Sequence, residues 1–135
     1  MSAAESFIDT SVLLYLLSEE SGKADRVENL LQRPATISVQ VLNEFAAVAI
    51  RKLRLSLPEI REVLGTVRQL CNVSSLGTEH HDKGLELAER YRFSLYDSII
   101  VASALLAGCK TLYSEDLQHR QLLDKQLRVI NPFLK

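Results

Sequence analysis

The strongest constraint on the fold is an apolar segment at residues 98–107, in which two serines are the only polar residues. Its hydrophobic residues would cover every side of a helix, so the pattern predicts a helix that is buried almost all round. Asp97 stands directly before this segment, and Glu115 and Asp116 follow a short strand-like run after it. The sequence therefore places carboxylates at both borders of predicted core material.

Strand-like runs and helical segments alternate along the sequence. The predicted strands are SFID, ATIS, NVSSL, KTLY and LRVIN, and the helices between them carry cap signals at Ser38, at Thr78 and at the Ser56–Glu59 capping box. VLLYLL is expected to form a first helix and SEDLQHRQLLD one or two helical turns. Because helices join the strands of parallel sheets, this order predicts an α/β/α sandwich. Its central, mainly parallel sheet would have four to five short strands, with NVSSL at an edge.

The composition limits the class of protein. At 135 residues, with 47% hydrophobic and 24% charged residues, the chain suits a single globular domain over 1–135. No window contains the roughly 18 apolar residues that would cross a bilayer, and the first residues lack the basic start of a signal peptide. Cys71 and Cys109 are too few and too far apart to suggest a disulfide framework. We expect a cytoplasmic protein with no membrane segment.

Four acidic residues are candidate ligands, and they are Asp9, Glu44, Asp97 and Asp116. Asp9 and Asp116 follow predicted strands, and α/β proteins bind ligands beyond the carboxyl ends of their strands. Each aspartate also has a simpler interpretation, as a helix cap or as an acid in a first helical turn. Ser94 and Asp97, for example, have the spacing of a capping box. Both interpretations stay open at this point.

Glu44 and Asp97 have no basic residue three or four positions away on their own helices. Burying an unpaired carboxylate is costly, so a bound cation is the natural partner. Oxygen ligands favour Mg²⁺ or Mn²⁺ over Zn²⁺, and such an ion at the edge of a sheet is typical of chemistry on phosphates. The motifs of α/β-hydrolases, P-loop proteins and dinucleotide-binding enzymes are absent from the sequence.

Several segments resemble the PIN-domain ribonucleases, in particular the VapC toxins of bacterial toxin–antitoxin pairs. These segments are FIDTSVLLYLL, the glutamate of VLNEFAAV, YDSIIVASALLAGCKTLYSED and VINPF, and they span nearly the whole chain in the family's order. The resemblance implies a PIN-like fold in which the four acids hold Mg²⁺ or Mn²⁺. It also implies that Ser11 and Ser114 help to position metal, water or acid.

The same resemblance implies an activity and partners. PIN-domain toxins of this kind cleave RNA with metal-activated water, often transfer RNA and sometimes ribosomal RNA. They usually form homodimers and are silenced by a VapB-type antitoxin. One departure is Arg120, because similar sequences often have glycine there, and a bulky cation could alter the loop near Asp116. The alternative function is a non-catalytic PIN-fold module that binds metal or RNA.

The formal net charge of −1 gives no general attraction to nucleic acid. Metal at four carboxylates would make the local charge neutral or positive. Arg51 lies seven residues after Glu44 and therefore on the same helix face, and Lys52 and Arg54 extend this basic stretch. We predict that these three residues contact the RNA backbone. The alternative is a solvated helix end, whose cations favour the C-terminal dipole.

Overall fold

The computed structural model describes residues 5–20 and 22–134. The elements follow one another as β1 (Ser6–Ile8), α1 (Thr10–Leu13), α2 (Lys23–Leu31), β2 (Ala35–Ser38), α3 (Val39–Arg51), α4 (Leu57–Leu70), β3 (Asn72–Ser74), α5 (Thr78–Tyr91), α6 (Leu95–Leu106), β4 (Thr111–Tyr113), β5 (Leu122–Leu123) and β6 (Leu127–Ile130). The predicted helix VLLYLL begins two residues earlier than expected, and its second half tightens into a 3₁₀ turn. All strands except β5 fall on predicted runs.

The strands form one sheet in the order β3-β2-β1-β4-β6-β5. Neighbouring strands are parallel except β5 and β6, and β3 lies at an edge as predicted. Ile8 of β1 is in register with Tyr113 of β4, which is in register with Ile130 of β6. These three strands therefore end side by side, and the segments that follow them start at one edge of the sheet. The predicted α/β sandwich with a mainly parallel sheet is confirmed.

The predicted helical turns in SEDLQHRQLLD are wrong. Residues 114–121 form bends and turns, and the segment then adds the short sixth strand, β5. Leu123 is fully buried and pairs with Leu127 across a tight turn. In this turn Asp124 and Lys125 both have left-handed backbones, with φ of 50° and 57°. Two successive positive φ angles are what such a hairpin turn requires, but the sequence gives little sign of it because no glycine follows Asp124.

Helix caps explain where α3, α4 and α5 begin. The predicted cap at Ser38 and the Ser56–Glu59 capping box are confirmed. The predicted cap of α5 at Thr78 is wrong by one residue, since Gly77 is the N-cap. Nδ1 of His80 accepts the Gly77 backbone N–H at 3.0 Å, so the histidine ring takes the place of the glutamate or glutamine side chain of a capping box.

The apolar segment at residues 98–107 forms most of α6, which packs against α5. Seven residues of α6 are buried, and five of them belong to the hydrophobic core. The two helices pack closely at Gly84, where an added Cβ would lie 2.8 Å from Cγ1 of Ile99. None of the helices that the structure describes is long and apolar enough to span a membrane.

Gly84→Ala should destabilise the protein by about 1 to 3 kcal/mol, because the new methyl group would overlap Ile99 and force α5 away from α6. Gly65→Ala is the matched control. Gly65 lies on the exposed side of α4 with nothing within 4 Å of the added carbon, so alanine there should stabilise by about 0.5 to 1 kcal/mol. Urea unfolding measures both changes, and a stabilised Gly84→Ala would contradict the close packing of the two helices.

Candidate active site

The carboxylate of Asp9 is buried at the point where β1 ends. Its Oδ1 accepts the backbone N–H of Thr10 at 2.7 Å, so Asp9 also caps α1. Its Oδ2 accepts the hydroxyls of Ser114 at 2.7 Å and Ser11 at 3.2 Å. All of these donors are neutral, and no cation among the described residues forms an ion pair with Asp9. Hydroxyl and amide groups therefore take the place of a positive charge.

Ser11 and Ser114 connect Asp9 to the loop after β4. Each hydroxyl donates to Asp9 and at the same time accepts a backbone N–H of that loop. Ser114 accepts from Asp116 and Ser11 accepts from Glu115, both at 3.1 Å. A serine hydroxyl has one proton and two lone pairs, so both protons are committed to the carboxylate. The two serines thus fix the position of the loop that carries Asp116 relative to Asp9.

Burial raises the pKa of Asp9 from an ordinary 3.8 to about 6. Hydrogen bonds from its hydroxyl and amide donors lower this pKa, while the charges of Asp116 and Asp97 raise it further. The pKa of Asp116 is also raised, first by desolvation and then by nearby acids that include Asp97 and Glu44. The four acids of the sequence analysis therefore lie near enough to one another for their charges to interact.

Glu44 reaches this region from α3 and is also held by neutral donors. The hydroxyl of Thr10 donates to its Oε1 at 2.7 Å, and the side-chain amide of Gln40 donates to its Oε2 at 3.2 Å. The same amide donates to the backbone carbonyl of Tyr96 at 2.9 Å, directly before Asp97. Thr10 and Gln40 are not among the site residues predicted from the sequence. The spacing of Gln40 four residues before Glu44 on one helix was the available signal.

The carboxylate of Asp97 does not cap its own helix. Ser94 caps α6 by accepting the backbone N–H of Asp97 at 3.2 Å. In a complete capping box the acid also accepts the N–H of the cap residue, as Glu59 does from Ser56 at 2.8 Å. Over the part of the chain that the structure describes, the carboxylate of Asp97 has no such bond. Capping therefore accounts for Ser94 but leaves this carboxylate without a structural partner.

The sequence model of the PIN domain family matches residues 6–124, a range that includes all four acids. The chain belongs to the PIN-domain family. This confirms the family expected from the quoted segments. No curated protein sequence matches the chain.

Several solved structures share this PIN fold. A toxin–antitoxin complex from Klebsiella pneumoniae matches with a TM-score of 0.71 and 19% identity, over 95% of this chain and 98% of the other. VapC20 of Mycobacterium tuberculosis, a toxin that cleaves the sarcin–ricin loop, matches with a TM-score of 0.65 and 18% identity, over 81% and 88%. VapBC2 of Rickettsia felis, bound to a DNA fragment from its promoter, matches with a TM-score of 0.68 and 15% identity, over 94% of this chain and 99% of the other. At these identities the shared feature is the fold.

The donors of this PIN domain suit a hard divalent cation. They are the four carboxylates and the hydroxyls of Ser11 and Ser114, and oxygen ligands of this kind are what Mg²⁺ and Mn²⁺ prefer. Within residues 5–20 and 22–134, however, no three acidic, histidine or cysteine side chains already converge as a metal site. Carboxylates with no cation between them repel one another. A bound ion would therefore have to draw these side chains inwards.

Two of the basic features predicted from the sequence lie near this site. Lys52, a member of the predicted basic stretch, lines the same groove of about 350 Å³ as Ser11, whose hydroxyl donates to Asp9. Arg51 and Arg54 are exposed beside it. Arg120 has a left-handed backbone with φ of 73°, which glycine adopts without strain. Arg120 thus occupies a turn position that suits glycine better, and it adds a positive charge to the loop that carries Asp116.

In protein treated with a chelator, Asp9→Asn should stabilise the fold by about 1 to 3 kcal/mol near neutral pH. Because the folded-state pKa of Asp9, about 6, lies above the ordinary 3.8, the native state binds this proton more tightly than the unfolded state. Wild-type stability therefore falls as the pH rises between these two values. Asparagine does not titrate, so the two proteins should differ little near pH 4 and most above about pH 7.

Urea unfolding of both proteins at these two pH values measures this difference. A difference that does not change with pH would contradict the burial of an unpaired carboxylate at Asp9.

Proposed function

We propose that this protein is a metal-dependent endoribonuclease that hydrolyses RNA phosphodiester bonds, with transfer RNA as the first candidate substrate and ribosomal RNA as the second. The observation that carries the proposal is the group of four carboxylates near the end of β1. They pair with no cation among the described residues, and the charges of neighbouring acids raise the pKa of Asp9 and of Asp116. Membership of the PIN-domain family supports it, as does the fold shared with VapC20, which cleaves the sarcin–ricin loop. The protein would be the toxin of a VapBC-type pair.

The chain's own residues divide the work at this site. Mg²⁺ or Mn²⁺ held by the four acids would supply an activated water and stabilise the oxygen that leaves. Asp9 is the fixed ligand, because three hydrogen bonds hold its two oxygens. Glu44 is held by the Thr10 hydroxyl and the Gln40 side-chain amide. Asp97 and Asp116 would complete the set of ligands, since their carboxylates make no hydrogen bond in the described structure.

The arrangement also explains why RNA would need the cation. The phosphates of RNA are negative, and four clustered carboxylates repel them. Neutralising these carboxylates turns the most acidic part of the surface into one that accepts a phosphate. Lys52, in the groove beside Ser11, would then contact the RNA backbone next to the reacting phosphate, with Arg51 and Arg54 further along.

The proposal includes a VapB-type antitoxin as partner. The solved complexes from Klebsiella and Rickettsia that share the fold support this. On this chain, Ile50, Leu53 and Leu57 are 47%, 47% and 61% exposed around the turn between α3 and α4, and such apolar clusters are typical of protein-binding surfaces. Leu53 also lines the groove beside Ser11, so a protein bound there would lie next to the acids. A homodimer contact is the other proposed use of this surface.

Asp97→Asn should reduce metal-dependent cleavage of total RNA at least about 100-fold, because the amide keeps the shape of the side chain and loses its charge. Thermal stability should change little, since Ser94 caps α6 through the backbone of Asp97. Asp82→Asn is the matched control, because Asp82 is exposed on α5 and forms no ion pair within the described part of the chain. Gel analysis of total RNA, with Mg²⁺ or Mn²⁺ and with chelator, measures cleavage by the wild type, Asp97→Asn and Asp82→Asn.

Three results would count against this function. Cleavage by Asp97→Asn at the wild-type rate would show that Asp97 has no role in catalysis. Cleavage that persists in chelator would show that the reaction does not depend on a metal ion. An inactive wild-type protein that still binds the metal would favour the alternative function, a PIN-fold module that binds without cutting.

A further inference from the structure

A basic pocket lies beside the end of β6, outside the acidic site. It has a volume of about 490 Å³, and its lining includes Arg26, His119, Arg120, Arg128 and Asn131. No acidic residue among those that the structure describes lines this pocket. None of its three arginines forms an ion pair with any acid that the structure describes. The described part of the chain therefore gathers three positive charges in one concave place and pairs none of them with an acid.

Backbone carbonyls position two of these arginines. Nε of Arg26 donates to the carbonyl of Pro132 at 3.1 Å, and Nη1 of Arg128 donates to the carbonyl of Arg120 at 2.8 Å. A guanidinium has five N–H donors, so each arginine keeps further donors for a ligand. Holding a long side chain in place before binding lowers the entropy that binding would otherwise lose. Both arginines are therefore preorganised to bind an anion.

The other polar side chains of the pocket also present donors. Nδ1 of His119 accepts the backbone N–H of Asn131 at 2.9 Å, so in the neutral ring the proton is on Nε2. The approach of Arg120 Nε to that same Nε2, at 3.4 Å, is then a contact between two donors. Oδ1 of Asn131 accepts the N–H of Phe133 at 3.0 Å, which leaves its amide N–H groups for a ligand. A site of donors alone suits an oxyanion.

The pocket is a near neighbour of the acidic site. Its residue His119 follows Asp116 by three positions in the loop after β4. Ser114, whose hydroxyl donates to Asp9, also donates its backbone N–H to the carbonyl of Ile130 at 3.0 Å. Ile130 lines the pocket. Adjacent strands lie about 4.8 Å apart. The pocket therefore begins about one strand away from the residues that hold Asp9.

We propose that this pocket binds a backbone phosphate of the RNA, next to the phosphate that is cleaved. The inference rests on the proposed function, because it adds a second contact to the same substrate. An RNA strand places a phosphate at every nucleotide, so a strand held at the acidic site extends over the neighbouring surface. Arginine matches phosphate oxygens with pairs of parallel N–H donors. The pocket would hold the strand in register and contribute affinity that does not depend on sequence.

The test compares Arg26→Gln/Arg128→Gln with Arg61→Gln/Arg68→Gln. The control pair removes two exposed arginines of α4, which form no ion pair in the described structure. Both pairs are made in the Asp97→Asn protein, so that the RNA stays intact. The probe is a labelled single-stranded RNA of about 20 nucleotides, titrated between about 50 and 200 mM salt. Thermal unfolding checks that each variant is folded.

The pocket variant should bind the probe at least about tenfold more weakly at low salt, and the slope of log K against log salt should fall by about 1 to 2. The control should bind like the Asp97→Asn parent. Equal losses in both variants, unchanged binding in the pocket variant, or a parent that does not bind the probe would each overturn the proposal. Unchanged binding would instead favour an acidic protein partner for the pocket.

Cleavage of total RNA, measured without the Asp97→Asn change, separates this proposal from the function on which it rests. If the protein is not a ribonuclease, the wild type does not cleave. If only the phosphate site is wrong, the wild type and Arg26→Gln/Arg128→Gln cleave at equal rates.

Discussion

The carboxylate of Asp9 is buried where β1 ends. It is held by two hydroxyls and one backbone amide, and no cation among residues 5–20 and 22–134 pairs with it. Such burial disfavours the charged form, which is why the pKa of Asp9 rises to about 6. The same hydroxyls hold the loop that carries Asp116. Further acids beside this one add repulsion that a cation would relieve. Local instability of this kind is typical of functional sites and is offset by packing elsewhere.

The sheet supplies the rigidity that this arrangement needs. β1, β4 and β6 are parallel, in register and adjacent, so the residues after them meet at one edge. α3 and α6 bring Glu44 and Asp97 to that edge, and Gln40 links the two helices through the carbonyl of Tyr96. α6 is buried on most sides and packs tightly on α5 at Gly84. Glu44 and Asp97 therefore lie on helices whose positions the core determines, and Asp9 and Asp116 follow strands of the same sheet.

Much of this could be predicted from the sequence, because it depends on local patterns. The buried helix α6, five of the strands and the edge position of β3 follow from hydrophobic runs and their borders. The contacts that join distant segments could not be predicted in this way. The bond from Thr10 to Glu44 links residues 34 positions apart, and the bond from Ser114 to Asp9 links residues 105 apart. β5 was missed because its turn uses two left-handed residues without glycine. The basic pocket was missed because its arginines come from three separate segments.

The central claim, that buried Asp9 is a ligand of a divalent cation, is tested most directly by titrating chelator-treated protein with Mn²⁺ in a calorimeter near pH 6. Asp9 is partly protonated near its pKa of about 6, and a metal ligand must lose its proton. We predict that wild-type protein binds Mn²⁺ and releases protons, measured in buffers of different ionisation enthalpy. Asp9→Asn should bind at least about tenfold more weakly and without that release. Equal affinity in the two proteins, or binding without proton release, would contradict the account.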